Sequence, residues 1–259
     1  MKEKGIHVGD KVLRKIIKTA GYRWKAARVV LTSTDPEYKE KLAHVQKILG
    51  KLQDDERFFS IDEFGPFSVT MKGGRQLVPP SVHPTVPQWQ VSKGRLIMTA
   101  ALELSHNQVT HFFSSKKNSQ EMIKLAKVLI QEYHIAHKLY LSWDAASWHN
   151  SRELASFLDD HNATAAAQCL PMLELVPLPA SAQFLNIIES VFSGMARAII
   201  HNSDYASKEA AMHAMDLYFA ERNQHYIAHP KPAGKKIWGM ERTSSQFSAE
   251  NNCKNPKFR

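Results

Sequence analysis

Residues 138–144, KLYLSWD, end an apolar run on an acid. Leu139, Tyr140, Leu141 and Trp143 read as a buried strand, where a bare carboxylate is costly. Asp144 therefore has two readings. It caps the helix that follows, or it waits at the strand end for a metal ion. The segments on either side of this strand decide which fold carries it.

Downstream, SRELASFLDDH (151–161) reads as a helix, LELVPLPA (173–180) as a strand, and a long helix is expected from about Asn186 to Asn202. A last helix, KEAAMHAMDLYFAERN, covers 208–223. Upstream, SQEMIKLAKVLIQEY (119–133) reads as a helix capped by Ser119. Before it the hydrophobic period falls from 3.6 to 2. RFFSIDEFGPFSVTMKGGRQLV (57–78) reads as a strand, a turn at Gly65-Pro66 and a second strand. A proline-rich loop, PPSVHPTVPQWQVSKG, leads to two more strands, RLIMTAALEL and QVTHFFSS. Strands in hairpins followed by alternating helices and strands predict an α/β fold, a mixed sheet flanked by helices. That order is the one expected of a ribonuclease-H-like domain.

Four segments are expected. Residues 1–34 hold VGDKVLRKIIKTAGYRW, a helix that Asp10 can cap and Gly21 can close. Its apolar stripe is Val12, Leu13, Ile16, Ile17 and Ala20; the opposite face carries Lys11, Arg14, Lys15 and Lys18, with Arg23 and Lys25 just beyond. A short amphipathic helix with a basic face suits the second helix of a helix-turn-helix, here a partial one because the chain starts almost at this helix. Residues 35–55 form a linker helix with Leu42, Val45, Ile48, Leu49 and Leu52 inward. The sheet domain spans 56–230, and a basic tail 231–259.

Charge follows the same division. Residues 1–30 carry nine Lys/Arg and two acids, residues 222–259 eight and two, so in a chain of net charge +9 the centre is acidic by four. Basic flanks suit a polyanion partner. No stretch approaches the roughly 18 to 20 apolar residues of a membrane span. The amino end has no signal-peptide core, and Cys169 and Cys253 lack CxxC spacing. A reducing, cytoplasmic setting is expected.

Two more acids stand out. Asp62 lies in RFFSIDEFG, in the first strand of the sheet domain; Glu189 lies near the start of the long helix. Separated by 82 and 45 residues, Asp62, Asp144 and Glu189 can still meet at one sheet edge. Carboxylates so gathered repel one another, and hard cations such as Mg²⁺ and Mn²⁺ take such oxygen ligands. Glu63 is a rival for the first position, but strand alternation puts it on the opposite face. Glu189 also gains from the helix dipole without any metal.

The words around these acids, SIDEFG, LSWDAASWHNS and LVPLPASAQFLNIIESVFSGMARA, together resemble the DDE transposases of the mariner superfamily, in particular bacterial insertion-sequence members. The resemblance matches Asp62 and Glu63 to the "DE" pair, Asp144 and His149 to the second aspartate and its histidine five residues on, and Leu185, Asn186 and Glu189 to the Leu-Asn-x-x-Glu pattern. It departs at Ala145, where many relatives carry Asn, and at Gln183, where proline is usual. It implies that Asp62, Asp144 and Glu189 hold two Mg²⁺ ions, with Mn²⁺ as substitute, and that His149 and Asn186 support them from behind. It implies a transposase that cuts element ends and joins their 3′-hydroxyls to target DNA, acting as a homodimer on double-stranded DNA near the bacterial nucleoid. Phosphate contacts are expected from Lys11, Arg14, Lys15, Lys18, Arg23, Lys25, Arg197, Lys235 and Lys236. A DNA-binding remnant without catalysis, or a metal-dependent nuclease outside transposition, are the alternatives.

Overall fold

In a computed structural model of the protein, residues 8–23, 33–144, 146, 149 and 151–234 are described. Helix α1 (Asp10–Thr19) belongs to a unit of its own. Gly9, in extended conformation, occupies the cap position expected for Asp10, which becomes the first helical residue and sits favourably at the positive end of the helix dipole. Gly21 closes the helix at φ +84°. Val12, Ile16 and Ile17 are exposed on it.

The larger unit contains α2 (Tyr38–Leu49), β1 (Glu56–Ser68), β2 (Arg95–Glu103), β3 (Gln108–Ser114), α3 (Ser119–Glu132), β4 (Lys138–Ser142), α4 (Arg152–Ala165), β5 (Met172–Leu175), α5 (Ile188–Met195) and α6 (Lys208–Ala228). The strands form one sheet in the order β3-β2-β1-β4-β5. β1, β2 and β3 run antiparallel, whereas β4 is parallel to β1 and β5 to β4. This is the mixed sheet that the order of elements predicts.

Strand alternation divides the core in two. On one face Phe58, Met98, Ala100 and Tyr140 pack with α2, α5 and α6, which contribute Val45, Ile188, Phe192, Met215 and Phe219. On the other, Phe59, Ile61, Leu139, Leu141 and Trp143 pack with Met122, Leu125 and Leu129 of α3 and Leu154 and Leu158 of α4. Burying both faces explains why β4 reads as an almost unbroken apolar run.

Three further expectations are corrected. Gly65-Pro66 is not a turn between two strands: β1 runs through it, with a register shift between Phe64 and Phe67, and pairs again with β2 at Phe67 and Leu96. Gly65 sits at φ +107°, and a Cβ there would stand 2.8 Å from the Leu96 carbonyl oxygen, so only glycine fits this bulge. The cap of α3 is Asn118, whose side chain accepts from the Glu121 amide; Ser119 is already helical. The long helix after residue 186 ends its α-helical part at Met195 and continues as a π-helical turn, Ala196–Ile200.

Leu129 is fully buried, so Leu129→Ala should cost about 2–5 kcal/mol, against about 1 kcal/mol for Asn118→Ala. Urea midpoints at a common slope measure both; equal losses would contradict this assignment of core and cap.

Candidate active site

β1 is longer than β4. Its last partner there is Ser60, opposite Ser142, while pairing with β2 goes on to Ser68. Past Ser60 the β4 side of β1 is open, and Asp62 stands on this stretch. Asn186, buried just before α5, occupies the opening. Its Nδ2 donates to the Ile61 carbonyl at 3.2 Å and to Asp62 Oδ2 at 2.8 Å. Its Oδ1 accepts from Ser60 Oγ at 2.6 Å, and that hydroxyl in turn accepts from the Ile188 amide at 3.1 Å. The start of α5 is thus sewn to β1, which places Glu189, the second residue of α5, exposed near the same strand.

The loop before α5 is tied down from a second direction. Asp35 Oδ2 accepts from the Ala180 amide at 2.7 Å, and Ser33 Oγ donates to the Ala180 carbonyl at 2.6 Å. The Ala180 amide and the Lys41 ammonium hold the Asp35 carboxyl below its ordinary value.

Asp144 lies two residues past β4, its side chain about one-third exposed. Its Oδ1 accepts from the Ala146 amide at 3.1 Å and from His149 Nδ1 at 2.8 Å. Asp144 is a turn acceptor whose charge also acts on Asp62, while the following helix, α4, takes its cap from Ser151. The hydrogen bond from His149 holds the Asp144 carboxyl below its ordinary range. The imidazole is raised to about 9, because its two carboxylate neighbours, Asp144 and Glu63, outweigh a burial that opposes its charge.

Asp62 goes the other way. Burial, with the negative charges of Glu189, Asp144 and Glu63 added, pushes it up to about 7. The three acids read from the sequence thus share one electrostatic neighbourhood, and the set is all carboxylate oxygen, the donor type of Mg²⁺ or Mn²⁺. Among the described residues no three His, Cys, Asp or Glu side chains are close enough to enclose one ion. What fits a hard dication is the donor type, carboxylate oxygen throughout, and the negative charges of Glu189, Asp144 and Glu63 add to the burial that raises Asp62.

Glu63 faces the second core, as alternation predicts, with its carboxylate 2% exposed. Two residues of this neighbourhood are not singled out by the sequence, Ser60 and Lys117, whose ammonium lies 3.8 Å from Glu63 Oε2. Ser60 carried a signal, a polar residue two before Asp62 on the same strand face; Lys117 carried none. Arg197 lies in the π-helical turn, exposed, donating to Ser193 Oγ at 2.6 Å. Lys11, Arg14, Lys15, Lys18 and Arg23 are exposed on or just after α1. Lys25, Lys235 and Lys236 lie outside the described residues, and among the described residues no helix is long and apolar enough to cross a membrane.

Residues 57–211 match the family model for DDE superfamily endonucleases. Among solved structures, the chain is similar to the Mos1 mariner paired-end complex with Mn, at 17% identity and TM-score 0.60, covering 89% of this chain and 69% of that one. It is similar to a pre-cleavage Mos1 transpososome at 18% identity and TM-score 0.59, with the same coverage. For the Mos1 strand transfer complex the values are 17% and 0.59, covering 86% and 70%. At these identities the likeness is one of fold, and the sheet has the ribonuclease-H-like arrangement. No curated protein sequence matches the chain.

Asp62 binds its proton more tightly folded than unfolded, so its contribution to stability is full below its ordinary value of 3.8 and is lost as pH rises through about 7. With divalent metal chelated, wild type should therefore lose stability between about pH 4 and 7, and Asp62→Asn should lose less. Denaturant midpoints across this range measure it; identical pH slopes would mean that Asp62 carries no such burden.

Proposed function

Because the chain belongs to the DDE superfamily endonucleases, we propose that it is a DNA transposase that cuts the ends of a mobile element and joins the freed 3′-hydroxyls to target DNA. This reading is supported by the electrostatic neighbourhood at the open edge of β1, where the charges of Asp144 and Glu189 act on Asp62. In it these three acids hold two Mg²⁺ ions, with Mn²⁺ as substitute. Such ions, when bound, activate the attacking hydroxyl and stabilise the leaving oxygen of a phosphodiester. The protein's own part is positioning. Asn186 fixes the Asp62 carboxylate and ties α5 to β1, and His149 orients Asp144.

DNA is held by charge. Lys11, Arg14, Lys15, Lys18 and Arg23 flank or form one face of α1, Arg197 lies on the turn after α5, and Lys25, Lys235 and Lys236 extend the basic flanks. Pairing two element ends calls for two copies, so the acting species is a homodimer on double-stranded DNA, in a bacterial cytoplasm and at the nucleoid.

Cleavage of a supercoiled plasmid carrying the element ends, with Mg²⁺ or Mn²⁺, tests the reading. Wild type should cut it and Asp144→Ala should fall by more than about 100-fold, since loss of a supporting residue alone costs about 10–100-fold. Cleavage undiminished in the variant refutes the assignment. Retention of DNA without cleavage by either protein would instead favour a non-cleaving DNA-binding role.

Reversing the charge of Lys11, Arg14, Lys15 and Lys18 should weaken retention and flatten the plot of log affinity against log salt by up to about 3.6, at about 0.9 per phosphate contact. An unchanged slope would remove this helix from the interface.

A further inference from the structure

Glu63 is a buried acid that the metal-holding trio leaves out. It sits on the central strand opposite Thr99, next to Asp62 in sequence but on the other face. Its Oε1 lies 3.4 Å from His149 Nε2, and its Oε2 lies 3.8 Å from the Lys117 ammonium, which also donates to the Glu63 carbonyl at 3.2 Å. The other nitrogen of the same imidazole reaches Asp144 Oδ1 at 2.8 Å, and the ring lies 5.3 Å from that of Trp143. Glu63, His149 and Asp144 therefore stand in line as carboxylate, imidazole and carboxylate, with a hydrogen bond at the Asp144 end and an ion-pair contact at the Glu63 end. One end is on a rigid strand in the middle of the sheet; the other is in a connection past the end of β4.

A carboxylate is costly to bury even when paired. With its side chain 2% exposed, Glu63 has almost no surface with which to meet DNA. We propose that Glu63 is a positioning residue for the reaction: acting through His149, it fixes the orientation of the Asp144 carboxylate. This rests on the reading of Asp144 as a metal-holding acid. The physical content is a transfer of rigidity. Asp144 and His149 are five residues apart in one connection and could swing together; the contact to β1 pins the imidazole at its far nitrogen, and the ring then has one orientation to offer Asp144. Partners placed behind a ligand in this way hold its geometry and strengthen metal binding.

The experiment compares wild type, Glu63→Gln, Glu63→Ala, His149→Gln and the Glu63→Ala/His149→Gln double variant. Glu174→Gln, which breaks the Lys138 pair at the other end of β4, serves as control. Three quantities are read: Mn²⁺ affinity by calorimetry, the Mn²⁺ concentration for half-maximal plasmid cleavage, and the His149 ring ¹⁵N shifts. Glu63→Ala should raise the Mn²⁺ requirement by about 10–100-fold and leave the rate at saturating Mn²⁺ within a few-fold of wild type. Glu63→Gln, which keeps an acceptor for Nε2, should restore part of the affinity and still move the His149 resonances. The double variant should be no worse than His149→Gln alone.

Additive losses in the double variant, unmoved His149 resonances, or a lower melting temperature with unchanged Mn²⁺ dependence would each overturn the proposal. So would a collapse of the saturating rate like that of Asp144→Ala, which would make Glu63 a direct ligand. If Glu63→Ala does not fold, Glu63→Gln carries the test through the resonances and the calorimetry. Failure of the parent reading looks different: wild type itself would bind no Mn²⁺, or Asp144→Ala would bind it as well as wild type.

Discussion

Burying Asp62 beside Glu189, Asp144 and Glu63 costs free energy, and much of the surrounding structure is arranged around that cost. Like charges near a desolvated carboxyl drive it towards its neutral form, which is why Asp62 is pushed up to about 7. The protein does not supply it with a lysine or arginine partner among the described hydrogen bonds and ion pairs. It receives neutral donors, the Asn186 amide and the Glu63 backbone N–H at 2.7 Å. Neutral donors fix a carboxylate in space without cancelling its charge, which leaves that charge to the cation proposed for this site.

Asp144 is treated in the opposite way. His149 pairs with it and holds it charged. Two acids of one neighbourhood are thus pushed apart in proton affinity by their immediate surroundings, one by burial among like charges, the other by an imidazole. Such divergence between neighbouring groups is characteristic of functional sites. Here the two networks meet at adjacent residues of β1, and strand alternation sends Asp62 to one face and Glu63 to the other.

What the sequence made legible follows from how local each signal is. The buried β4, the amphipathic α2 and α3, and the opposite facing of Asp62 and Glu63 all depend on periodicity within a few residues, and each is found in the structure. The strand through Gly65-Pro66 was not legible, because that dipeptide is a turn signal; pairing with β2 on both sides of the bulge overrides it. Asn118 and Ser119 are both good caps, and only the extended backbone at Asn118 chooses between them. The partners of Glu63 were out of reach for another reason. Lys117 and His149 are 54 and 86 residues away, brought near by the β2–β3 hairpin and the parallel crossover to β4, and no local pattern encodes such meetings.

The site also explains why a sheet of this order carries it. β1 has an antiparallel neighbour on one side and a parallel one on the other, and the parallel neighbour stops first. A strand edge exposed in mid-sheet leaves backbone groups to be satisfied, and Asn186 does so at Ile61 with one side-chain amide. The same amide grips Asp62, and its oxygen takes the Ser60 hydroxyl that receives the first amide of α5. One residue thus closes the edge, orients the acid and anchors the helix that brings Glu189. Replacing Asn186 by an apolar residue would loosen all three at once, and the local fold and the chemistry proposed for it cannot be separated at this position.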